Sequence, residues 1–211
     1  MRQDLPVTAY AILGLLTFGD ELTGYEIKQR ADMTLRFYWV SPAMSQVYSE
    51  VRRLTDHGLV TSHAQRDGGR EVTRYAITEA GQTALREWME TTPAGFPVLK
   101  HGVLLRLLVA HASEPGRTRS MLHDYLAELD LALRDLSSVR EGLRGADGPG
   151  EPFRFPSIVA DWGLDYFAAE ARHTRTALAR LDEPVDEPVD ERAGESSEDG
   201  GTGAPSTHPP A

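Results

Sequence analysis

Residues 41–77, SPAMSQVYSEVRRLTDHGLVTSHAQRDGGREVTRYAI, decide the fold. Ser41 before Pro42 predicts a helix start, because a proline at the first helical position gives up an N–H that has no partner there anyway. Val47, Val51 and Leu54 recur at i, i+4 and i+7 and give that helix one apolar stripe. The helix is expected to run to His57 and stop at Gly58, a residue suited to the left-handed backbone that ends helices. Beyond Gly58 the pattern shortens. Leu59 to Gln65 and Glu71 to Ile77 are brief runs with β-branched and aromatic residues, and Asp67-Gly68-Gly69 between them predicts a hairpin.

Working outward, a nearly all-apolar segment from Val7 to Thr17 predicts a first helix that ends before Gly19-Asp20. Thr23-Gly24-Tyr25-Glu26 has the spacing of a capping box, in which the Thr23 hydroxyl and the Glu26 carboxylate each accept from the other's backbone amide. Leu22 and Ile27 flank it as a hydrophobic staple, so a second helix starts there. After the hairpin, Thr78 caps a fourth helix to about Glu90 that carries Leu85, Trp88 and Met89. Three helices, a two-stranded ribbon and a closing helix spell a winged helix-turn-helix over residues 1–92. The fold class expected is mainly α with a small β-ribbon, followed by a helical dimerisation domain.

That second domain is assigned to residues 93–182. Pro97 to Ala112 is expected to be one strongly apolar helix, and Ser113 to cap the next. The latter shows Leu122, Tyr125, Leu129, Ala132, Leu136, Val139 and Leu143 at alternating spacings of three and four, a coiled-coil seam. Gly142 to Pro152 breaks it, and a last helix from about Pro156 repeats the spacing in Leu164, Phe167, Ala171, Thr174, Leu178 and Leu181. Leu126 and Leu133 add a second stripe, more apolar face than a hairpin can bury against itself. A twofold dimer through Leu122, Leu129, Leu136, Leu143, Leu164, Phe167 and Leu178 is the expected outlet.

Composition sets the outer bounds. The chain has 211 residues and no Cys, which excludes disulfide scaffolds, thiolate metal sites and a Cys nucleophile. No stretch reaches the apolar length of a membrane span and no signal peptide leads the chain, so the cytoplasm is expected. The net charge is −10, but residues 1–92, 93–182 and 183–211 contribute −2, −1 and −7. The final 29 residues are rich in Pro, Gly, Ser and acid, with no Leu, Ile or aromatic, and are expected to be a disordered acidic tail. A solvated tail is the plainer reading, and competition with DNA for a basic surface the sharper one.

The third helix has the layout of a recognition helix: an apolar back, with Ser45, Gln46, Tyr48, Ser49, Arg52 and Arg53 pointing elsewhere. Gln46 suits adenine and Arg52 suits guanine or phosphate. Tyr48 and Ser49 suit phosphates, which position without reading sequence. Glu50 would repel phosphate and is expected to point away or toward an arginine. Arg66, Arg70 and Arg74 near the hairpin turn suit minor-groove or phosphate contact. Thr23 and Tyr25 open the second helix, whose amides make a natural phosphate seat, with Thr23 as a plain cap the equal alternative.

Trp39, Trp88 and Trp162 suggest either core or an aromatic ligand pocket. Trp39, Phe155, Trp162 and Tyr166 are the candidate effector residues. Catalysis finds little support: Asp161 and Asp165 at i, i+4 suit a solvated face, and no nucleophile elbow, Walker loop or dinucleotide fingerprint is present. The His residues have no metal-ligand spacing, so no metal, no cofactor and no enzyme activity are expected.

In order and spacing, Tyr10-Ala11-Ile12-Leu13-Gly14-Leu15-Leu16, Leu22-Thr23-Gly24-Tyr25-Glu26-Ile27-Lys28, Ser45-Gln46-Val47-Tyr48 through Arg53-Leu54, His57-Gly58-Leu59-Val60 and Tyr75-Ala76-Ile77-Thr78-Glu79-Ala80-Gly81 resemble the PadR family of bacterial transcriptional regulators. The resemblance covers about residues 5–92, and the helical half is similar to the subgroup that dimerises through C-terminal helices. It implies a homodimeric repressor on a palindromic operator in double-stranded DNA, often of an adjacent operon, released by a small aromatic compound or drug. A non-catalytic scaffold built on the same fold is the alternative. A scaffold has no need of an Arg-bearing polar front on the third helix.

Overall fold

The computed structural model describes residues 5–19 and 21–183, apart from the side chains of Asp67, Arg70 and Pro115. The acidic tail from residue 184 onward lies outside the described residues, as do residues 1–4 and Asp20. Helix α1 (Val7–Leu15) is apolar nearly all round and is accordingly central, with Ala9, Ile12, Leu13 and Leu15 buried. Strand β1 (Leu22–Thr23) leads directly into α2 (Gly24–Thr34), which ends in a 3-10 turn at Leu35–Phe37. Helix α3 (Met44–Asp56) carries the stripe of Val47, Val51 and Leu54, each buried against the same core.

Gly58 takes the left-handed backbone (φ +70°) expected after a helix end. Strands β2 (Val60–Asp67) and β3 (Arg70–Ile77) then pair antiparallel along their whole length, from Val60 opposite Ile77 to Asp67 opposite Arg70. Only Gly68 and Gly69 remain for the turn, both at positive φ (+54° and +85°), as a two-residue hairpin of this hand requires. The strands are longer and the loop shorter than the sequence predicts. The ribbon is also not two-stranded, because β1 adds to β3 and gives the order β1-β3-β2. Two residues are too short to show a period, and they double as a staple residue (Leu22) and the helix cap (Thr23), so this strand has no signature of its own.

Helix α4 (Glu79–Thr91) begins where Thr78 Oγ1 accepts from the Gly81 amide at 3.0 Å and donates to the Gly58 carbonyl at 2.8 Å. Gly81 is required there, since a Cβ would stand 2.2 Å from the Leu59 carbonyl oxygen. Trp88 stacks on Tyr10 of α1 with centroids 4.8 Å apart, so of the three tryptophans this one is packing.

In the second half the structure corrects three expectations. The apolar helix over 97–112 is reduced to α5 (Gly102–Leu108) and a 3-10 turn at Ala110–Ala112, and residues 93–100 have no regular structure. The helix starts later than expected, where the His101 ring supplies the cap by accepting from the Leu104 amide at 3.2 Å. Helix α6 (Pro115–Gly142) starts with Glu114 at the cap position and Pro115 inside, so Ser113 is not its cap. The third concerns the seam. Leu122, Leu129 and Leu136 are 1–3% exposed because α6 packs within one chain against α7 (Arg154–Asp182), on which Ala160, Ala171 and Leu178 are buried in turn. Gly163 permits the close approach: a Cβ there would stand 2.7 Å from Leu136 Cδ2. Leu143 and Leu164 are half-buried, and Phe167 turns edge-on toward Phe37 of the 3-10 turn. A partner copy gains little by covering positions the chain has already covered.

Among the described residues, two aromatic contacts and an ion pair join the halves. Phe37 meets Phe167, Phe18 stacks with Phe153 at 5.9 Å, and Arg36 donates to the Asp135 carboxylate at 2.8 Å.

Candidate nucleic-acid interface

The loop that delivers α3 is anchored from behind. The Ser41 hydroxyl donates to Asp32 Oδ1 at 2.6 Å, and Lys28 pairs with the same carboxylate while donating to Ser41 Oγ at 3.3 Å. Lys28 first, then Ser41, hold the Asp32 carboxyl below its ordinary range. This claims Ser41 and corrects its expected role: the cap position of α3 is Ala43, with no side-chain bond, and the helix starts at Met44. Asp32 lies nine residues upstream, too far for any local pattern to reveal the pairing.

With its back locked, α3 presents Ser45, Gln46, Ser49, Arg52 and Arg53 as an exposed front. Glu50 is buried, and Arg53 Nη1 stands 3.7 Å from its Oε2, which has no hydrogen bond. The helix's only carboxylate in this stretch is thereby kept off the front, as the sequence demands. Arg53 is divided between Glu50 and solvent, whereas Arg52 is exposed. The Ser49 hydroxyl donates back to the Gln46 carbonyl at 2.9 Å, so its proton is already engaged.

At the start of α2 both reciprocal bonds of the capping box form: Thr23 Oγ1 accepts from the Glu26 amide at 3.2 Å, and Glu26 accepts from the Thr23 amide at 2.7 Å. The Thr23 amide holds the Glu26 carboxyl below its usual range, against a smaller opposing push from burial. The duller alternative for Thr23 is therefore the one the structure displays, a cap with a carboxylate already seated beside it. Tyr25 stays exposed and accepts from Gln29 Nε2 at 3.2 Å.

The wing arginines separate. Arg66 is exposed near the tip, and the Arg70 side chain lies outside the described residues. Arg74 is turned inward: its Nη1 donates to the Glu21 carbonyl at 2.8 Å and stands 3.5 Å from the Glu26 carboxylate. It braces the sheet to α2, because β1 brings Thr23 opposite Arg74 in register.

Between these pieces runs a groove of about 540 Å³, lined by Thr23, Gly24, Tyr25, Glu26 and Tyr48 together with Glu71, Val72, Thr73 and Tyr75 of β3. The Tyr48 ring lies against Gly24. Burial raises the Tyr75 phenol above its ordinary range, the neighbouring Tyr48 adds to this, and Arg52 opposes it. Gly24 is a residue that sequence reasoning passed over, since a glycine inside a capping box has no distinguishing pattern.

The four candidate effector residues do not converge. Trp162 and Tyr166 line one shallow depression of about 590 Å³ with Asp165, Ala169 and Arg172. Trp39 and Phe155 are exposed and not part of it. Asp161 accepts from Arg140 Nε at 2.8 Å, an ordinary inter-helix pair. A polar cluster also went unanticipated: His101 Nε2, the Tyr125 hydroxyl and Glu170 Oε2 lie within 3.0–3.1 Å of one another and tie α5 to α6 and α7. Burial, then Glu170, pushes the Tyr125 phenol well up. Their sequence separation, 24 to 69 residues, hides this cluster from local reading.

Against known proteins, the transcriptional regulator PadR-like family matches residues 12–87. The negative transcriptional regulator PadR of Bacillus subtilis is 30% identical over 152 residues, 72% of this chain and 81% of that protein. The crystal structure of B. subtilis PadR in complex with operator DNA matches 84% of this chain and all of that one, with TM-score 0.73 and 26% identity. The same protein in complex with p-coumaric acid matches over the same shares with TM-score 0.68 and 26% identity.

Proposed function

This chain belongs to the PadR-like family of transcriptional regulators, DNA-binding proteins rather than enzymes, and we propose that it is a homodimeric cytoplasmic repressor of a nearby operon. One observation carries the reading: α3 buries its apolar stripe and its carboxylate, and leaves Gln46 and Arg52 on an exposed polar front beside a glycine-turned wing. Such a front fits the major groove of a palindromic operator, with Gln46 and Arg52 reading base edges. Tyr25, Ser45, Tyr48, Arg53 and Arg66 take phosphates, and Arg70 is kept with them on sequence alone. Thr23 and Arg74 serve by holding α2 and the sheet in place, and Ser49 by closing its own helical turn. The B. subtilis relative solved with operator DNA supports the partner, and its designation as a negative regulator supports repression.

Dimerisation rests on what one chain leaves uncovered. Phe96, Val98, Leu99, Leu105 and Leu108 are more than 60% exposed, a contiguous stretch of sequence that a monomer does not bury. We place the twofold contact there and on the outer faces of α6 and α7. For an effector, the relative solved with p-coumaric acid points to a small aromatic acid. The Trp162–Tyr166 depression offers ring faces and Arg172 for a carboxylate.

A mobility-shift titration with the DNA upstream of the chain's own coding region tests the reading. Saturable binding that survives excess random duplex, and that weakens when p-coumaric acid is added, is the expected result. Equal affinity for both duplexes overturns operator recognition. Binding indifferent to the acid removes that effector class.

A further inference from the structure

We propose that Gly24 is a positioning residue for DNA binding: lacking a Cβ, it lets the Tyr48 ring lie on the first turn of α2 and so fixes where the Tyr48 hydroxyl meets the DNA backbone. The inference rests on Tyr48 being a phosphate contact.

A Cβ at Gly24 would stand 2.6 Å from Tyr48 Cε1, 2.9 Å from Cζ and 3.2 Å from the hydroxyl oxygen. The conflict is thus with the phenolic end of the ring, the end that carries the hydrogen-bonding group. Backbone conformation does not demand glycine here. The positive-φ glycines are 19, 58, 68, 69, 95, 145 and 150, and Gly24 is not among them. Glycine is also a poor helix former, so its presence in the first turn of α2 is explained by space.

The other helical glycines sharpen the contrast. Gly14, Gly102, Gly116 and Gly142 meet nothing within 4 Å. Gly81 and Gly163 face a backbone carbonyl and a buried leucine, which is packing. Gly24 alone faces an exposed side chain on the proposed DNA-binding front, with Tyr48 still 47% accessible. An added methyl would meet the movable tip of a side chain and would displace it without threatening the core. A tyrosine held against a second helix has already lost the rotamer freedom that an unsupported one would lose on binding.

The test is a double-mutant cycle on the full chain: wild type, Gly24→Ala, Tyr48→Ala and the pair. Each is titrated against the duplex upstream of its own coding region and against a random duplex, with thermal melting alongside. Gly24→Ala is expected to melt no lower than wild type, yet to bind both duplexes about tenfold more weakly, the size of one lost hydrogen bond to a charged group. Tyr48→Ala should lose a similar factor, and the double variant should bind no worse than Tyr48→Ala alone. Wild-type affinity in Gly24→Ala with loss in Tyr48→Ala overturns the positioning role and leaves the phosphate contact standing; so do losses that multiply in the double variant. Wild-type affinity in Tyr48→Ala removes both. Should Gly24→Ala melt low, the double variant must recover the melting of Tyr48→Ala, since the methyl then has no ring to meet; otherwise Gly24 is a packing residue and the proposal fails.

Discussion

In the winged head, buried apolar residues from α1, β1, α2, the 3-10 turn, α3 and β2 enclose one another around Ile12, Leu13, Ile27 and Leu54. In the helical half they form a single file, Leu122, Leu129 and Leu136 on α6 against Ala160, Ala171 and Leu178 on α7, while α5 and the segment before it lie open. The head is a finished core and the helical half is half of one. A finished core can present a rigid reading surface alone. A single file between two long helices fixes their pairing but leaves the flanks of both for something else to cover, which is why the dimer is proposed on that side of the molecule.

The contrast is broken most severely by Leu54→Ala. Leu54 is fully buried behind α3, and truncation of such a leucine costs about 2–5 kcal/mol through lost transfer energy and residual cavity. The head should melt far below wild type, and DNA binding should go with it. Leu105→Ala, at 65% exposure, should leave the melting of dilute protein unchanged. If calorimetry finds equal losses, the two halves are not built differently.

Next in size are Gln46→Ala and Arg52→Ala. A bidentate base contact discriminates by about 1–3 kcal/mol, so each variant should relax operator preference while keeping its melting temperature. Footprints identical to wild type would remove these side chains from the reading. Assembly is probed by Leu105→Glu with Leu108→Glu, two exposed positions on α5. Light scattering should show the mass fall to one chain, with far-UV signal retained. A wild-type chain that is monomeric at micromolar concentration would place the open face to some other use.

Where the sequence was legible, the determinants were local. The capping box, the Gly58 stop and the Gly68-Gly69 turn each lie within a few residues and each formed, and the two staple residues, Leu22 and Ile27, are buried in the same core. The α3 stripe was legible for the same reason: a helix repeats its face every few residues. Illegible features were made by residues far apart. Ser41 was claimed by Asp32, Arg74 by Glu21 and Glu26, and Phe167 by Phe37. The apolar run from Pro97 to Ala112 misled because hydrophobicity without a stripe does not distinguish a buried helix from a surface awaiting a partner. Of the seam positions, Leu122, Leu129, Leu136, Ala171, Thr174 and Leu178 are buried, by the pairing of α6 with α7 within one chain, while Leu143 and Leu164 are half-buried and Leu181 is exposed.

The smallest expected effect bears on the junction between the two regions. Arg36 and Asp135 are paired at 2.8 Å with side chains 45% and 52% exposed, an ion pair between head and helices. An exposed pair of this kind contributes about 0–1 kcal/mol, so Arg36→Ala should scarcely move the melting temperature. Its consequence is geometric. Without it the junction keeps Phe37 on Phe167 and Phe18 on Phe153, both aromatic contacts that tolerate some rotation. If the helical half sets the spacing of two heads on half-sites about 34–36 Å apart, a looser junction should tolerate operators whose half-sites are moved by a base pair, which wild type should reject. High salt should weaken the Arg36 contact in the same way, because at 1 M the Debye length is only about 3 Å, and competition among spacing variants at matched salt separates this from general loss of phosphate binding. A large fall in melting temperature for Arg36→Ala would show that the junction belongs to the core of the head, and the distinction between a finished and an unfinished half would no longer hold at that boundary.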